Sequence, residues 1–194
     1  MILLLILIII IFSLLCLNKN KFTDDTVEES YNGVIYRVRK GDAAIQINTA
    51  KKLDYLRSQL QILIDYCYKN NLPTEDDASR MYSRFKRTQI SETSSSESSA
   101  AYVVNKGEEL RVCINNEKEN DTMFVLLHEL AHIMSKSYGH NDEFKKNMNF
   151  LVKEAVKLNL YKPTDYTKNP INYCGVNISS TPCHSNKCLF GQKI

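Results

Sequence analysis

Residues 124–144 read FVLLHELAHIMSKSYGHNDEF. Three of the chain's four histidines fall in this run, at positions 128, 132 and 140, with Glu129 between the first two. Val125, Leu126, Leu127, Leu130, Ala131, Ile133 and Met134 surround them. From Phe124 to Met134 the only ionisable groups are His128, Glu129 and His132. The spacing predicts a helix whose two histidines leave one face a turn apart. Two imidazoles so placed can grip one zinc ion. Glu129 projects beside them, close enough to take a proton from water without being a ligand. Surface histidines on an ordinary helix would not explain the apolar surroundings, because burying three polar groups without partners is costly.

A catalytic zinc needs a third protein ligand and one open position. His140 is the expected third ligand. Gly139 can end the helix in the left-handed conformation and let the chain turn back towards the metal. Asp142 then caps the next helix, and Phe144 anchors the turn in the core. Glu143 and Glu154 are the alternative ligands, since some HExxH enzymes use a later carboxylate. The longer HExxHxxGxxH pattern does not fit, because Gly139 and His140 fall at other spacings.

Outward from this stretch, the periodicities predict an α+β domain. Val34, Tyr36 and Val38 alternate as in a strand, with Gly41 breaking it before a second short strand. Leu53, Leu56, Leu60 and Leu63/Ile64 recur at helical spacing in a helix ending near Asn70, with Thr49 as its expected cap. After Pro73, TEDDASRMYSRFKRTQ predicts a second helix with acids early and bases late. Residues 90–100, ISETSSSESSA, read as a flexible Ser-rich loop. Tyr102–Val104 and Leu110–Ile114 predict a hairpin turning at Asn105-Lys106-Gly107. Asp121 or Thr122 is expected to cap the histidine helix. Phe144, Met148, Leu151, Ala155 and Leu158 define the face of a fourth helix.

The first 17 residues, MILLLILIIIIFSLLCL, are apolar except Ser13. A helix of that length spans about 25 Å, enough for a short membrane crossing. No basic segment precedes the run and no small-x-small cleavage site follows it, so an uncleaved anchor is expected rather than a secretory signal. Lys19 and Lys21 follow it, which predicts a cytosolic domain by the positive-inside rule. The sequons at Asn120 and Asn177 point weakly the other way. The expected organisation is a transmembrane anchor at 1–17, a juxtamembrane linker at 18–30, the catalytic domain at 31–175 and a Cys-containing tail at 176–194.

The 194 residues carry a formal charge of +3, which gives no ground for nucleic-acid binding. Of the six cysteines, Cys16 lies in the apolar run, leaving Cys67, Cys113, Cys174, Cys183 and Cys188. Five scattered thiols make no dense disulfide framework. Cys174, Cys183, His184 and Cys188 lack the CxxC knuckles of a structural zinc site, so a surface cluster or a disulfide is expected there.

HELAH followed by GHNDEF resembles the WLM and SprT-like minimal zincins, in which HExxH, a short loop and a Gly-His or His-Gly turn precede a Phe-anchored helix. NKGEELRVCI before the motif and the segment from Phe144 to Ser179 after it are similar to metallopeptidases of large nucleocytoplasmic DNA viruses. The resemblance covers about residues 100–180. It implies a minimal zincin-like fold, Zn2+ bound by His128, His132 and His140, Glu129 as general base, and a peptide or protein substrate. The DNA- or partner-binding modules of cellular members have no recognisable counterpart here, so DNA–protein crosslink repair is not implied. An edge strand would pair with the substrate backbone, supplied by Leu110–Ile114 or Tyr102–Asn105. Tyr138, Tyr166 and Tyr173 are the candidate oxyanion donors. Two other functions fit the same motif: a catalytically silent zinc-binding membrane or virion protein, and a zinc hydrolase of a non-peptide substrate.

Overall fold

The structure is a computed structural model that describes residues 25–181, apart from Ser96 and Asn116. The predicted anchor at 1–17, its flanking lysines, and Cys183, His184 and Cys188 lie outside the described residues. No helix among the described residues is long and apolar enough to cross a membrane. The architecture is α+β, with four helices packed on a five-stranded sheet and a separate two-stranded hairpin.

Strand β1 (Thr26–Tyr31) and strand β2 (Val34–Arg39) form an antiparallel hairpin. Its turn is Asn32-Gly33, both at positive φ, the conformation that matches the twist of the flanking strands. Residues 26–30, the last part of the segment expected to be a polar linker, therefore belong to the sheet. Glu28 is exposed, while Val27 and Tyr31 pack against the core with the half-buried Glu29 between them on the same face.

Helix α1 runs Ala43–Lys69. The short strand expected after Gly41 is instead the first turns of this helix. Asp42, not Thr49, caps it, its carboxylate accepting from the Ala44 and Ile45 N–H groups at 2.8 and 3.3 Å. Thr49 is buried inside the helix. Leu53, Leu56, Leu60, Leu63, Ile64 and Cys67 form its buried stripe and meet the sheet. Helix α2 (Glu75–Phe85) is capped by Thr74, with Glu75, Asp76 and Asp77 in its first turn, as the dipole favours.

Strand β3 (Gln89–Glu92) takes the first three residues of the loop expected at 90–100, and the described residues from 93 to 100 stay outside helix and strand. It lies in the centre of the sheet, parallel to β2 on one side and to strand β5 (Glu109–Val112) on the other. Its serine and acid are tolerated there because each has a partner. Ser91 donates to the Glu109 carboxylate at 2.9 Å, and the Glu92 carboxylate accepts from the Arg39 N–H at 2.8 Å. Arg39 also donates to the Thr93 carbonyl at 2.7 Å.

Strand β4 (Ala101–Val104) pairs antiparallel with β5 through the expected Asn105-Lys106-Gly107 turn, all three residues at positive φ. Gly107, at φ +118°, also lies close to Thr88, whose hydroxyl would be 3.2 Å from an added Cβ. The sheet order is β1-β2-β3-β5-β4. Strand β4 is thus a sheet edge and β5 is interior, so only the Tyr102 strand of the two candidates can present a free edge.

Helix α3 (Glu119–Met134) carries the first two histidines, and helix α4 (Asp142–Lys157) packs beside it. Helix α3 begins earlier than expected, after Lys118, and no side chain caps it. Asp121 accepts the buried Tyr166 hydroxyl at 2.7 Å, and Thr122 bonds back to the Lys118 carbonyl. Asn141, not Asp142, caps α4, accepting from the Phe144 N–H at 3.1 Å. Asn120 donates to Lys162 and Thr164, so its sequon amide is already engaged.

Strands β6 (Ile171–Tyr173) and β7 (Val176–Ile178) form the small hairpin. A disulfide joins Cys174 at its turn to Cys113 just after β5. The Tyr173 hydroxyl donates to the Cys113 carbonyl at 2.8 Å, and the Cys174 N–H donates to Glu117 at 3.1 Å. Cys67 is a free, buried thiol.

Candidate metal centre

His128 and His132 leave the same face of α3, as their spacing requires. The chain leaves the helix at Ser135, whose backbone is extended. Gly139 is not the helix stop. It lies at φ +78° in the following turn, just before His140. That turn brings His140 back over the first two histidines. The His140 Nε2 lies 2.9 Å from the His128 Nε2 and 3.1 Å from the His132 Nε2. The three rings offer ligand atoms that all lie within 4.8 Å of one another. The Phe144 ring packs against all three, at centroid distances of 4.4–4.8 Å.

The turn that delivers His140 is held from two sides. Arg84 on α2 donates to the Ile133 and Ser135 carbonyls at 2.6 and 2.9 Å, and Arg80 donates to the Met134 carbonyl at 2.8 Å. Lys106, from the β4–β5 turn, donates to the Ser137 carbonyl and lies over the Tyr138 ring at 4.2 Å. From α4, the Glu143 carboxylate accepts from the Lys136 and Ser137 N–H groups at 2.8 and 3.0 Å, and from the Ser137 hydroxyl. Buried Asn147 donates to Ser135, whose hydroxyl donates to the Ala131 carbonyl. Helix-end carbonyls and loop N–H groups that would otherwise need water are thereby satisfied. Arg80, Arg84 and Lys106 did not stand out in the sequence, because Arg and Lys on a helix or turn read as solvated charge, and Glu143 stood out only as a candidate ligand.

Electrostatics follow from burial. His128 is pushed down to about 4 by burial first, then by His132 and His140. His132 is also pushed down to about 4, by burial, His140 and Lys106. Imidazoles at such values are neutral at pH 7, the form a metal requires. Glu129 is only 5% exposed, and burial alone pushes its carboxyl up to about 8. The donor set fits zinc. Three imidazole Nε2 atoms converge on one point, with His128 and His132 held neutral by burial, a donor set suited to a cation.

The two carboxylates weighed as alternative ligands are occupied elsewhere. Glu143 holds the 136–137 backbone, whose N–H groups, with the Ser137 hydroxyl, draw its carboxyl down to about 2. Glu154 is buried, pairs with Lys157 at 2.6 Å and lies near Cys67. Of the three tyrosines, Tyr166 and Tyr173 are buried and spend their hydroxyls on Asp121 and the Cys113 carbonyl. Tyr138 is 77% exposed beneath Lys106.

His128, Glu129 and His140 open onto a cleft of about 840 Å³. Ala100 and Ala101 at the start of β4 line one side, Phe144 and Met148 of α4 another, and Val176 to Ile178 of β7 a third. The disulfide fastens this third wall to the end of β5.

These features define the class: an α+β protein with a three-histidine cluster able to hold a metal, and a buried glutamate, at the edge of an open cleft. The chain belongs to the family of "Uncharacterized protein R325" of Acanthamoeba polyphaga mimivirus, to which it is 33% identical over 135 residues, covering 65% of this chain and 68% of that protein. It is also similar to "Uncharacterized protein 136R" of Invertebrate iridescent virus 6, 31% identical over 97 residues, covering 45% of this chain and 52% of that protein. A third relative, "Uncharacterized protein 042R" of Invertebrate iridescent virus 3, is 37% identical over 60 residues, 30% of this chain and 35% of that protein. No protein-family model and no solved structure matches the chain.

Proposed function

We propose that this protein is a membrane-anchored zinc metallopeptidase of the minimal zincin type, related in its site to the WLM and SprT-like enzymes. The observation that carries this reading is the convergence of three imidazole Nε2 atoms beside a buried glutamate at the edge of an open cleft. His128, His132 and His140 would hold the metal. Bound zinc would supply Lewis acidity, polarising the scissile carbonyl and easing deprotonation of water.

The chain's own residues would do the rest. Glu129 accepts the proton of the attacking water and passes it to the leaving amine. Burial makes its carboxylate more basic than an exposed one, so it takes a proton more readily, and the carboxyl so formed can give that proton to the leaving amine. Strand β4 would offer its free edge to an extended peptide, and Ala100–Ala101 place that edge on the cleft. Phe144 keeps the three rings in their relative orientation.

The test is zinc content and peptide cleavage by the full chain in detergent. The expected result is one zinc per chain and hydrolysis of a mixed peptide library. Glu129→Gln should keep the zinc and lower the rate by about 10²–10⁴-fold, the usual contribution of a positioned general base. Bound zinc with no cleavage by either form would favour a structural metal protein. Cleavage of ester or amide probes other than peptides would favour the broader hydrolase reading.

A further inference from the structure

The first turns of α1 overhang the domain. Ala43, Ala44, Ile45, Ile47 and Asn48 are exposed, and the first buried residue is Thr49. Ile45 is 65% exposed and Ile47 48%, on different sides of the helix. Six residues of overhang make a tip about 9 Å long. Single exposed isoleucines are ordinary on a protein surface. These two are set apart by their position. The Lys40 N–H donates to the Asp25 carbonyl at 2.7 Å, so the start of α1 lies beside the first described residue of the chain. Only residues 18–24 separate that residue from the apolar run 1–17. Fully extended, seven residues reach at most about 25 Å.

The charge around the tip is also suited to a lipid surface. Lys40 and Lys51 are exposed and Lys52 is half-exposed. The neighbouring acids Asp42, at the α1 cap, and Asp25, which accepts from Ser95, keep their negative charge against these three lysines. An apolar tip with three lysines and two acids near it carries a small positive excess, which suits the acyl boundary and anionic headgroups of a bilayer.

We infer that the α1 tip, with Ile45 and Ile47 as its apolar contacts and Lys40, Lys51 and Lys52 around them, docks on an anionic bilayer surface beside the anchor. The inference rests on the anchored reading proposed above. Its consequence for function is orientation. Ala101, which lines the cleft, pairs with Val112 at the same end of the sheet where Thr26 pairs with Arg39. The cleft would then be presented to substrates near the membrane.

The chain contains no tryptophan, which makes a single introduced indole a clean reporter. Ile45→Trp, Ile47→Trp and Ile62→Trp variants of the full chain would be reconstituted in phosphatidylcholine–phosphatidylserine vesicles with brominated acyl chains. Ile62 is also exposed on α1, about 26 Å further along the helix. The expected result is blue-shifted emission and several-fold stronger quenching at positions 45 and 47 than at 62. Chains that float with the vesicles but show equal, weak quenching at all three positions would overturn the docking and leave the anchor standing. Chains that do not float would overturn both, while zinc content and peptide cleavage would still judge the catalytic reading. Matching circular dichroism of the three variants guards against misfolding.

Discussion

The third histidine of the cluster is the residue on which the site turns. His140 is exposed and lies eight residues beyond His132, yet its ring completes the cluster. His140→Ala should reduce zinc affinity by more than about 100-fold, above the usual effect of losing a supporting contact. Glu154→Ala should leave zinc affinity unchanged, because Glu154 pairs with Lys157 away from the cluster. Competition with a chelator of known affinity measures both. Glu143 tests a different property. Its carboxyl is held well below its ordinary value by the Ser137 hydroxyl and the N–H groups of Lys136 and Ser137. A lowered folded-state value means the ionised form is favoured in the native state. The resulting stability is present above about pH 4.5 and is lost as pH falls towards about 2. Thermal melts of wild type and Glu143→Gln should therefore differ at neutral pH and converge on acidification through that range.

Helix α2 acts on the site at the scale of an element. Its Arg80 and Arg84 bond the last carbonyls of α3 and the turn that follows, fastening the end of the histidine-bearing helix to its neighbour. Arg84→Ala should destabilise the fold by about 1–3 kcal/mol, the range for leaving buried backbone acceptors without a charged donor. It should also weaken zinc binding by about 10-fold, as loss of an indirect support does. Chemical denaturation and zinc titration read the two effects separately. Arg84→Lys should recover part of each, since a lysine can reach one carbonyl but cannot fork to two.

For the whole molecule, the Cys113–Cys174 disulfide links the central sheet to the hairpin that walls the cleft. It closes a loop with a sequence separation of 61. Removing such a constraint costs about 4 kcal/mol at the chain-entropy limit. Cys113→Ser should lower the melting temperature of the chain, and reductant should do the same to wild type but not to the variant. The hairpin retains the Tyr173 hydroxyl bond and a small apolar cluster of Ala100, Cys113, Val125 and Tyr173, so the fold of the main sheet should survive.

The sequence by itself determined the local features. Periodicity placed the four helices, and Asn-Lys-Gly placed the β4–β5 turn, because both signals arise within one or two turns of chain. HExxH identified two of the three clustered histidines, since helical spacing alone aligns them. Tertiary structure decided what depends on distant partners. Strand β3 was hidden in a Ser-rich run because its polar side chains are satisfied by Arg39 and Glu109 from other strands. Residues 26–30 read as linker for a related reason: a strand paired on one side only can keep polar residues such as Glu28 in water. His140 could be favoured over Glu143 and Glu154 from sequence. Only the fold removed those two, by giving each carboxylate another partner. The edge identity of β4 and the Cys113–Cys174 pairing were likewise beyond any local signal, because strand order and disulfide pairing are set by where the packed elements meet.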